Sequence, residues 1–151
     1  KMLSLLFKEI IVRNERGKTM FLDETPYESL WERYERKDLP LDLSDFCFYF
    51  SEVGNDGHLG FFLDASKKNI LERVLLNLRK YLTEEMEKNL LDAKEKWDKL
   101  ALSSSKITKK EKEALEETSP FRKEDEFFSE HELDLIGLLN NEANKLFKEK
   151  A

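Results

Sequence analysis

The chain has 151 residues, a formal net charge of −6 and 38% charged residues, against about 25% in an average soluble domain. One cysteine excludes an internal disulfide, and no apolar run reaches the roughly 20 residues that a transmembrane helix needs. The chain has only five glycines and three prolines, the residues that most favour turns, so we expect few turns. We therefore expect a cytoplasmic protein with long amphipathic helices in one domain, residues 1–151, and neither a secretion signal nor a membrane span.

The N-terminal segment allows two interpretations. Apolar residues at intervals of three and four between positions 3 and 11 are typical of one helical face. The alternative is a short hairpin, because β-compatible runs flank a turn-like segment at residues 14–17. Both interpretations stay open at this stage.

A helix is predicted to begin at Thr25. Thr25 suits the N-cap, Pro26 suits the first helical position, and Glu28 completes a capping box. The apolar stripe of this helix has helical spacing and is expected to pack in the core. Its members are Tyr27, Leu30, Trp31 and Tyr34. The helix is expected to end before Pro40.

The next predicted helix, over residues 42–53, is apolar on most of its circumference. A helix of this kind is normally buried, so we place it at the centre of the bundle. Cys47 lies among Phe46, Phe48 and Phe50. We expect its thiol to serve as a small buried apolar group.

A glycine-rich turn is predicted where this helix ends. Gly54, Gly57 and Gly60 fall within seven residues, and glycine is favoured where φ is positive or a neighbour approaches closely. Phe61 and Phe62 follow and are expected to pin the turn to the core. An EF-hand is excluded because two ligand positions would lack side-chain oxygens. A P-loop is excluded because a helix precedes the glycines and no Lys-Ser/Thr follows them.

Four further helices are predicted after the turn. Asn69 is expected to cap the first, and Thr83 lies at the start of its antiparallel neighbour. A loop is expected at residues 103–105, Thr108 is expected to cap a short helix, and Ser129 is expected to cap the last. The predicted fold class is all-α: a single compact bundle of about six or seven helices with a central glycine-rich turn, with the N-terminal hairpin as an optional addition.

No catalytic or metal-binding set is predicted. Two histidines and one cysteine are too few for a typical metal site, and the sequence contains no recognisable nucleophile motif. His58 lies in the glycine-rich turn, where we expect it to hydrogen-bond backbone groups. The sequence therefore predicts a protein without enzymatic activity, metal or cofactor.

Charge is concentrated in two segments of opposite sign. Residues 111–134 contain ten acidic and three basic residues, whereas residues 66–80 contain five basic residues and one acidic residue. A dense acidic face attracts cationic partners and repels nucleic acid. The acidic run is either a solvated helical surface or a binding face. The second interpretation weakens if the basic segment neutralises the acidic one within the fold.

Two short motifs carry a resemblance to a known family. One is similar to E-V-N-N-G-G-F-x-Q-F-F, with matches at Glu52, Val53, Asn55, Gly57, Phe61 and Phe62 and departures at Gly54, Asp56, His58 and Gly60. The other is similar to D-x-x-F-Y-x-x-x-E-D-L-x-x-L, with matches in Asp125–Phe128 and at Glu132, Leu133 and Ile136. In this order, over residues 25–147, the motifs resemble those of the DNA-mimic protein family, which comprises small acidic all-α bacterial proteins.

The resemblance implies carboxylates that imitate the spacing of DNA phosphates and occupy the basic surface of a DNA-binding protein. On this hypothesis the partner is a basic protein, such as a transcription regulator or a nuclease, and neither nucleic acid nor a membrane is bound. Both a monomer and a homodimer are compatible with it. The predicted partner-binding residues are Glu113, Glu116, Glu117, Glu124, Asp125, Glu126 and Glu130. The predicted structural motif consists of Asn55, Gly57, Phe61 and Phe62.

Two other functions are alternatives. One is an immunity-type protein that neutralises a basic nuclease toxin through the same acidic face. The other is a small-ligand-binding protein or enzyme with a pocket at the glycine-rich turn, near Asn55 and His58.

Overall fold

A computed structural model describes residues 25–100 and 107–147, and the regular secondary structure of this part of the chain is entirely helical. The helices are α1 (Pro26–Glu35), α2 (Leu41–Lys67), α3 (Leu71–Leu78), α4 (Glu84–Leu100), α5 (Lys109–Thr118), α6 (Arg122–Glu130) and α7 (Glu132–Phe147). The predicted all-α bundle is confirmed. The predicted N-terminal helix or hairpin and the loop at residues 103–105 lie outside the described residues. None of the helices within the described ranges has the length and apolar character needed to cross a membrane.

Helix α2 is the centre of the bundle, as its apolar circumference predicts. It packs against α1, α3, α4, α6 and α7, while α1 also lies along α7. Phe46, Cys47 and Phe50 are at most 1% exposed. Burial raises the pKa of the Cys47 thiol far above its ordinary value, so the group stays protonated and apolar. The predicted role of Cys47 is confirmed.

Two helices begin at the predicted caps Thr25 and Thr108, and both caps form capping boxes, of which only the first was predicted. The Thr25 hydroxyl accepts a hydrogen bond from the Glu28 backbone N–H at 3.1 Å, and the Glu28 carboxylate accepts one from the Thr25 backbone N–H at 3.1 Å. Thr108 and Glu111 repeat this arrangement at the start of α5. Each box satisfies backbone donors that the first helical turn leaves unpaired.

Two other predicted caps are wrong. Asn69 has a φ of +59° and lies in the turn after α2. The N-cap residue of α3 is Ile70, and no side chain caps this helix. Asparagine tolerates this left-handed conformation, which explains its position at a helix end. Ser129 lies inside α6, a helix the sequence analysis did not predict. Phe121 and Phe128 anchor α6 in the core, with exposures of 1% and 4%.

The glycine-rich segment is a kink that separates two helical halves of α2 at Gly57. The predicted positive φ is found at Gly57, whereas the predicted helix end at residue 53 is wrong, because helical angles continue to Asp56. Gly57 alone has non-helical angles, with φ 70° and ψ −179°, and α2 continues to Lys67. Gly60 is helical, and a Cβ at this position would collide with the carboxylate of Asp56. Phe61 and Phe62 are fully buried, which confirms that they pin the segment to the core.

Candidate functional site

The kink in α2 is held by a carboxylate from α6. Asp125 Oδ1 accepts a hydrogen bond from the backbone N–H of His58 at 2.9 Å and lies 2.6 Å from His58 Nδ1. The extended conformation of Gly57 interrupts the helical hydrogen-bond pattern at the kink, and Asp125 satisfies the N–H that follows it. The predicted hydrogen bonds from His58 to backbone groups are therefore wrong, because a carboxylate 67 residues away is its partner.

His58 lies wholly inside the protein. The rings of Phe62, Phe121 and Phe128 surround its imidazole at 6.3 Å between centroids. The hydrogen bond to the Asp125 carboxylate places a proton on Nδ1, because a carboxylate can only accept. Nε2 is buried and has no hydrogen-bond partner among the described residues. The pair joins α6 to the kink in α2, and Asp125 keeps a side-chain exposure of 42% on the side that faces the groove.

An open groove of about 720 Å³ borders the kink. Its walls come from the kinked part of α2, the end of α5, the Ser119–Pro120 turn and α6. Five of the lining side chains are carboxylates: Asp56, Glu116, Asp125, Glu126 and Glu130. Among the described residues that line the groove, Arg122 is the single cation. We call this the acidic groove.

The predicted partner-binding residues separate into four groups, of which the buried Glu124 is described below. Glu116, Glu126 and Glu130 are exposed and line the acidic groove, and Glu113 and Glu117 are exposed on α5 outside it. Asp125 also lines the groove, but it is tied to His58.

Glu124 faces the interior of the protein, unlike the other predicted partner-binding residues. Its side chain is 3% exposed and accepts a hydrogen bond from Lys96 Nζ at 2.8 Å. Its carbonyl oxygen accepts another from Asn89 Nδ2 at 3.1 Å. The predicted outward role of Glu124 does not fit this position, since the carboxylate links α6 to α4. The sequence pattern that could have predicted the burial of Glu124 is its spacing of four residues from Phe128, because residues four positions apart lie on the same helical face.

The basic segment at residues 66–80 does not neutralise the acidic run. Its paired cations bind acidic residues of α2 and α4 instead, namely Lys68 with Asp64, Arg73 with Asp45, Arg79 with Glu87 and Lys80 with Asp42. The exposed glutamates of α5 and α6 therefore keep their charge. Among the described residues, no cation lies within ion-pair distance of Glu113, Glu116, Glu117, Glu126 or Glu130.

One ion pair fastens α5 beside the groove. Lys112 Nζ lies 2.6 Å from Asp56 Oδ2. The hydrogen bond to Asp56 raises the pKa of Lys112, so this lysine stays charged over the whole neutral range. No residue of α5 is fully buried, which makes the pair an important part of its attachment.

Asn55 does not share the burial of Phe61 and Phe62, two other residues of the predicted structural motif. It is exposed and lines the acidic groove, and its Nδ2 donates a hydrogen bond to the Ser51 hydroxyl at 3.4 Å. Within residues 25–100 and 107–147, no group of three or more His, Cys, Asp or Glu side chains is placed to hold a metal ion.

Comparisons with protein-family models, curated proteins and solved structures find no match to this chain.

Proposed function

We propose that this protein is a non-enzymatic acidic binding protein that recognises a basic, DNA-binding protein, as the DNA-mimic resemblance implies. One observation carries the proposal: five exposed glutamates on α5 and α6 have no cation within ion-pair distance among the described residues. They are Glu113, Glu116, Glu117, Glu126 and Glu130. As proposed, the protein acts in the bacterial cytoplasm, where such a partner meets DNA.

The contrast with the carboxylates that the basic segment binds supports this proposal. Asp42, Asp64 and Glu87 each have a cation of the same chain within 3.3 Å. On α5 and α6 the exposed carboxylates have no such neighbour, so their field extends into solvent. A net excess of solvent-exposed negative charge accelerates encounter with a cationic partner and makes the complex sensitive to salt.

The concave shape of the site also supports recognition. Glu116 and the pair Glu126 and Glu130 face one another across the acidic groove from different helices. A cationic side chain that enters the groove meets several carboxylates at once, whereas on a flat surface it would meet one. Glu124 is not part of this contact set because it is buried against Lys96.

A salt-dependent affinity experiment tests the proposal. The intact chain serves as bait in a lysate of the source cell at low and high salt, and captured proteins are identified by mass spectrometry. We expect a DNA-binding protein that is retained at low salt only and is displaced by added duplex DNA. The triple variant Glu116→Gln, Glu126→Gln and Glu130→Gln is expected to lose it.

A matched control separates the groove from total charge. Glu35, Glu84 and Glu85 are exposed glutamates that form no ion pair with the described residues. Replacing these three by glutamine removes the same charge and is expected to leave capture unchanged. The proposal fails if both triple variants lose the partner equally, or if the captured protein is not displaced by DNA.

The acidic groove also favours a second candidate function, the binding of a small cationic ligand. A volume of about 720 Å³ lies in the range of small-molecule sites. Isothermal titration with spermidine tests it. Saturable binding that the groove variant abolishes and the control variant retains would support this candidate, and heat of dilution alone would exclude it for polyamines. An immunity-type protein would use the same face, and the identity of the captured protein distinguishes it.

A further inference from the structure

A second groove lies between α3 and α4 and differs in chemistry from the acidic groove. Its volume is about 300 Å³, and leucines form most of its surface: Leu75, Leu76, Leu78, Leu82, Leu90 and Leu91. Leu76 and Leu91 are 63% and 54% exposed. Single exposed leucines are common, but here leucines from two helices lie together in one solvent-open apolar strip. We call it the leucine groove.

Four charged residues stand around the leucine groove. Glu72 and Arg79 lie on the α3 side, and Glu87 and Lys94 lie on α4. Arg79 Nε is 3.1 Å from Glu87 Oε2 at one end, and Lys94 Nζ is 3.8 Å from Glu72 Oε1 at the other. Lys94 is also bound by Asp98. These pairs show that α3 and α4 are antiparallel, as the sequence predicts.

The antiparallel arrangement makes the four charges alternate in sign around the rim. If a second copy is turned over onto the groove, a two-fold axis in the plane of the groove relates the copies. If the axis runs along the helices, Arg79 of each copy lies opposite Glu87 of the other copy, and Glu72 of each copy lies opposite Lys94 of the other. If the axis runs across the helices, Arg79 of each copy lies opposite Glu72 of the other copy, and Glu87 of each copy lies opposite Lys94 of the other. In both orientations every rim charge faces its opposite.

The rim is therefore complementary to itself, which is the requirement for a symmetric interface between identical chains. It is also neutral as a group, whereas the whole chain carries a net charge of −6. Two copies repel each other less through this face than through the acidic face. A strongly acidic or basic partner would gain no net attraction from such a rim.

We propose that the leucine groove is a homodimer interface, in which the α3–α4 pair of one copy covers that of a second copy. The proposal does not depend on the function assigned to the acidic groove.

Sedimentation equilibrium of the intact chain tests it. We expect a concentration-dependent dimer, and we expect the double variant Leu76→Glu and Leu91→Glu to dissociate at least about tenfold more readily, the equivalent of 1.4 kcal/mol. Leu133→Glu is the matched control, because Leu133 is 81% exposed on α7 and outside the groove. It should leave the dimer intact. Circular dichroism checks that each variant is folded.

Charge exchange tests the symmetry directly. Arg79→Glu places like charges together in either orientation and is expected to weaken the dimer. A second substitution should restore it: Glu87→Arg if the axis runs along the helices, or Glu72→Arg if it runs across them. Because Arg79 and Glu87 also pair within one chain at 3.1 Å, urea denaturation of the same variants separates a change in the stability of the single chain from a change in association.

Three results would overturn the proposal. The first is a chain that stays monomeric at every concentration, which would leave the groove to a different protein or to another segment of this chain. The second is a dimer that the leucine variant does not affect. The third is a failure of both second substitutions to restore association.

Discussion

Replacing Gly57 by alanine should destabilise the protein strongly, because two separate costs act at this position. With φ at +70° and ψ at −179°, the residue adopts a conformation that is essentially restricted to glycine. A Cβ there would also lie 2.9 Å from Asp125 Oδ2. Asp125 cannot retreat freely, since it holds both the backbone N–H and the ring of His58.

The two costs are of similar size. A non-glycine residue in this conformation costs about 1–3 kcal/mol. Displacing Asp125 weakens hydrogen bonds to a charged group, which contribute about 1.5–3 kcal/mol each. A lower entropy of the unfolded chain offsets less than about 1 kcal/mol. We therefore expect a loss of about 3 kcal/mol in the free energy of unfolding.

Urea denaturation followed by circular dichroism measures this loss. Gly137→Ala is the matched control, because Gly137 is in α7 and a Cβ there meets no atom within 4 Å. It is expected to gain about 0.5–1 kcal/mol from the higher helix propensity of alanine. In an Asp125→Ala background, Gly57→Ala should cost less than in the parent. A Gly57→Ala protein within about 0.5 kcal/mol of the parent would refute the reasoning.

Three further predictions concern buried or perturbed groups. Asp45→Ala should cost about 2 kcal/mol in urea denaturation, because the 4% exposed carboxylate binds Arg73 through two atoms; an unchanged midpoint would contradict this. Burial and the neighbouring Asp64 raise the pKa of Glu52, so its protonated form stabilises the fold at acid pH and this contribution is lost as pH rises. Glu52→Gln should therefore raise the melting temperature more at pH 7 than at pH 4, and an equal shift at both would refute it. The Cys47 thiol, whose pKa burial raises, should react with a thiol reagent only at the rate of unfolding, whereas fast reaction of native protein would show that it is accessible.

The sequence predicts the helices that carry strong local signals. The Thr25 and Thr108 capping boxes mark the starts of α1 and α5 because each involves residues three positions apart. The burial of α2 follows equally from its own composition. These features depend on neighbours in the chain, which a single sequence displays.

Features that depend on distant contacts are harder to predict. The continuation of α2 beyond Gly57 relies on Asp125, which lies 67 residues from His58. Similarly, the alternation of charges in the C-terminal run does not reveal that Glu124 turns inward to Lys96 while Glu126 stays outside. The pattern that could have indicated α6 is the pair of buried phenylalanines, Phe121 and Phe128, because a spacing of seven residues places them on one helical face.

The missing side chain at Gly60 has an effect well beyond its own position. Since no methyl group occupies that place in the central helix, the Asp56 carboxylate can rest against the backbone and meet Lys112. Helix α5 contributes no fully buried residue of its own; the partly buried Leu115 and this ion pair attach it to the rest of the bundle. The absence of a side chain at Gly60 thus helps to set how the glutamates of an outer helix are presented to the surrounding water.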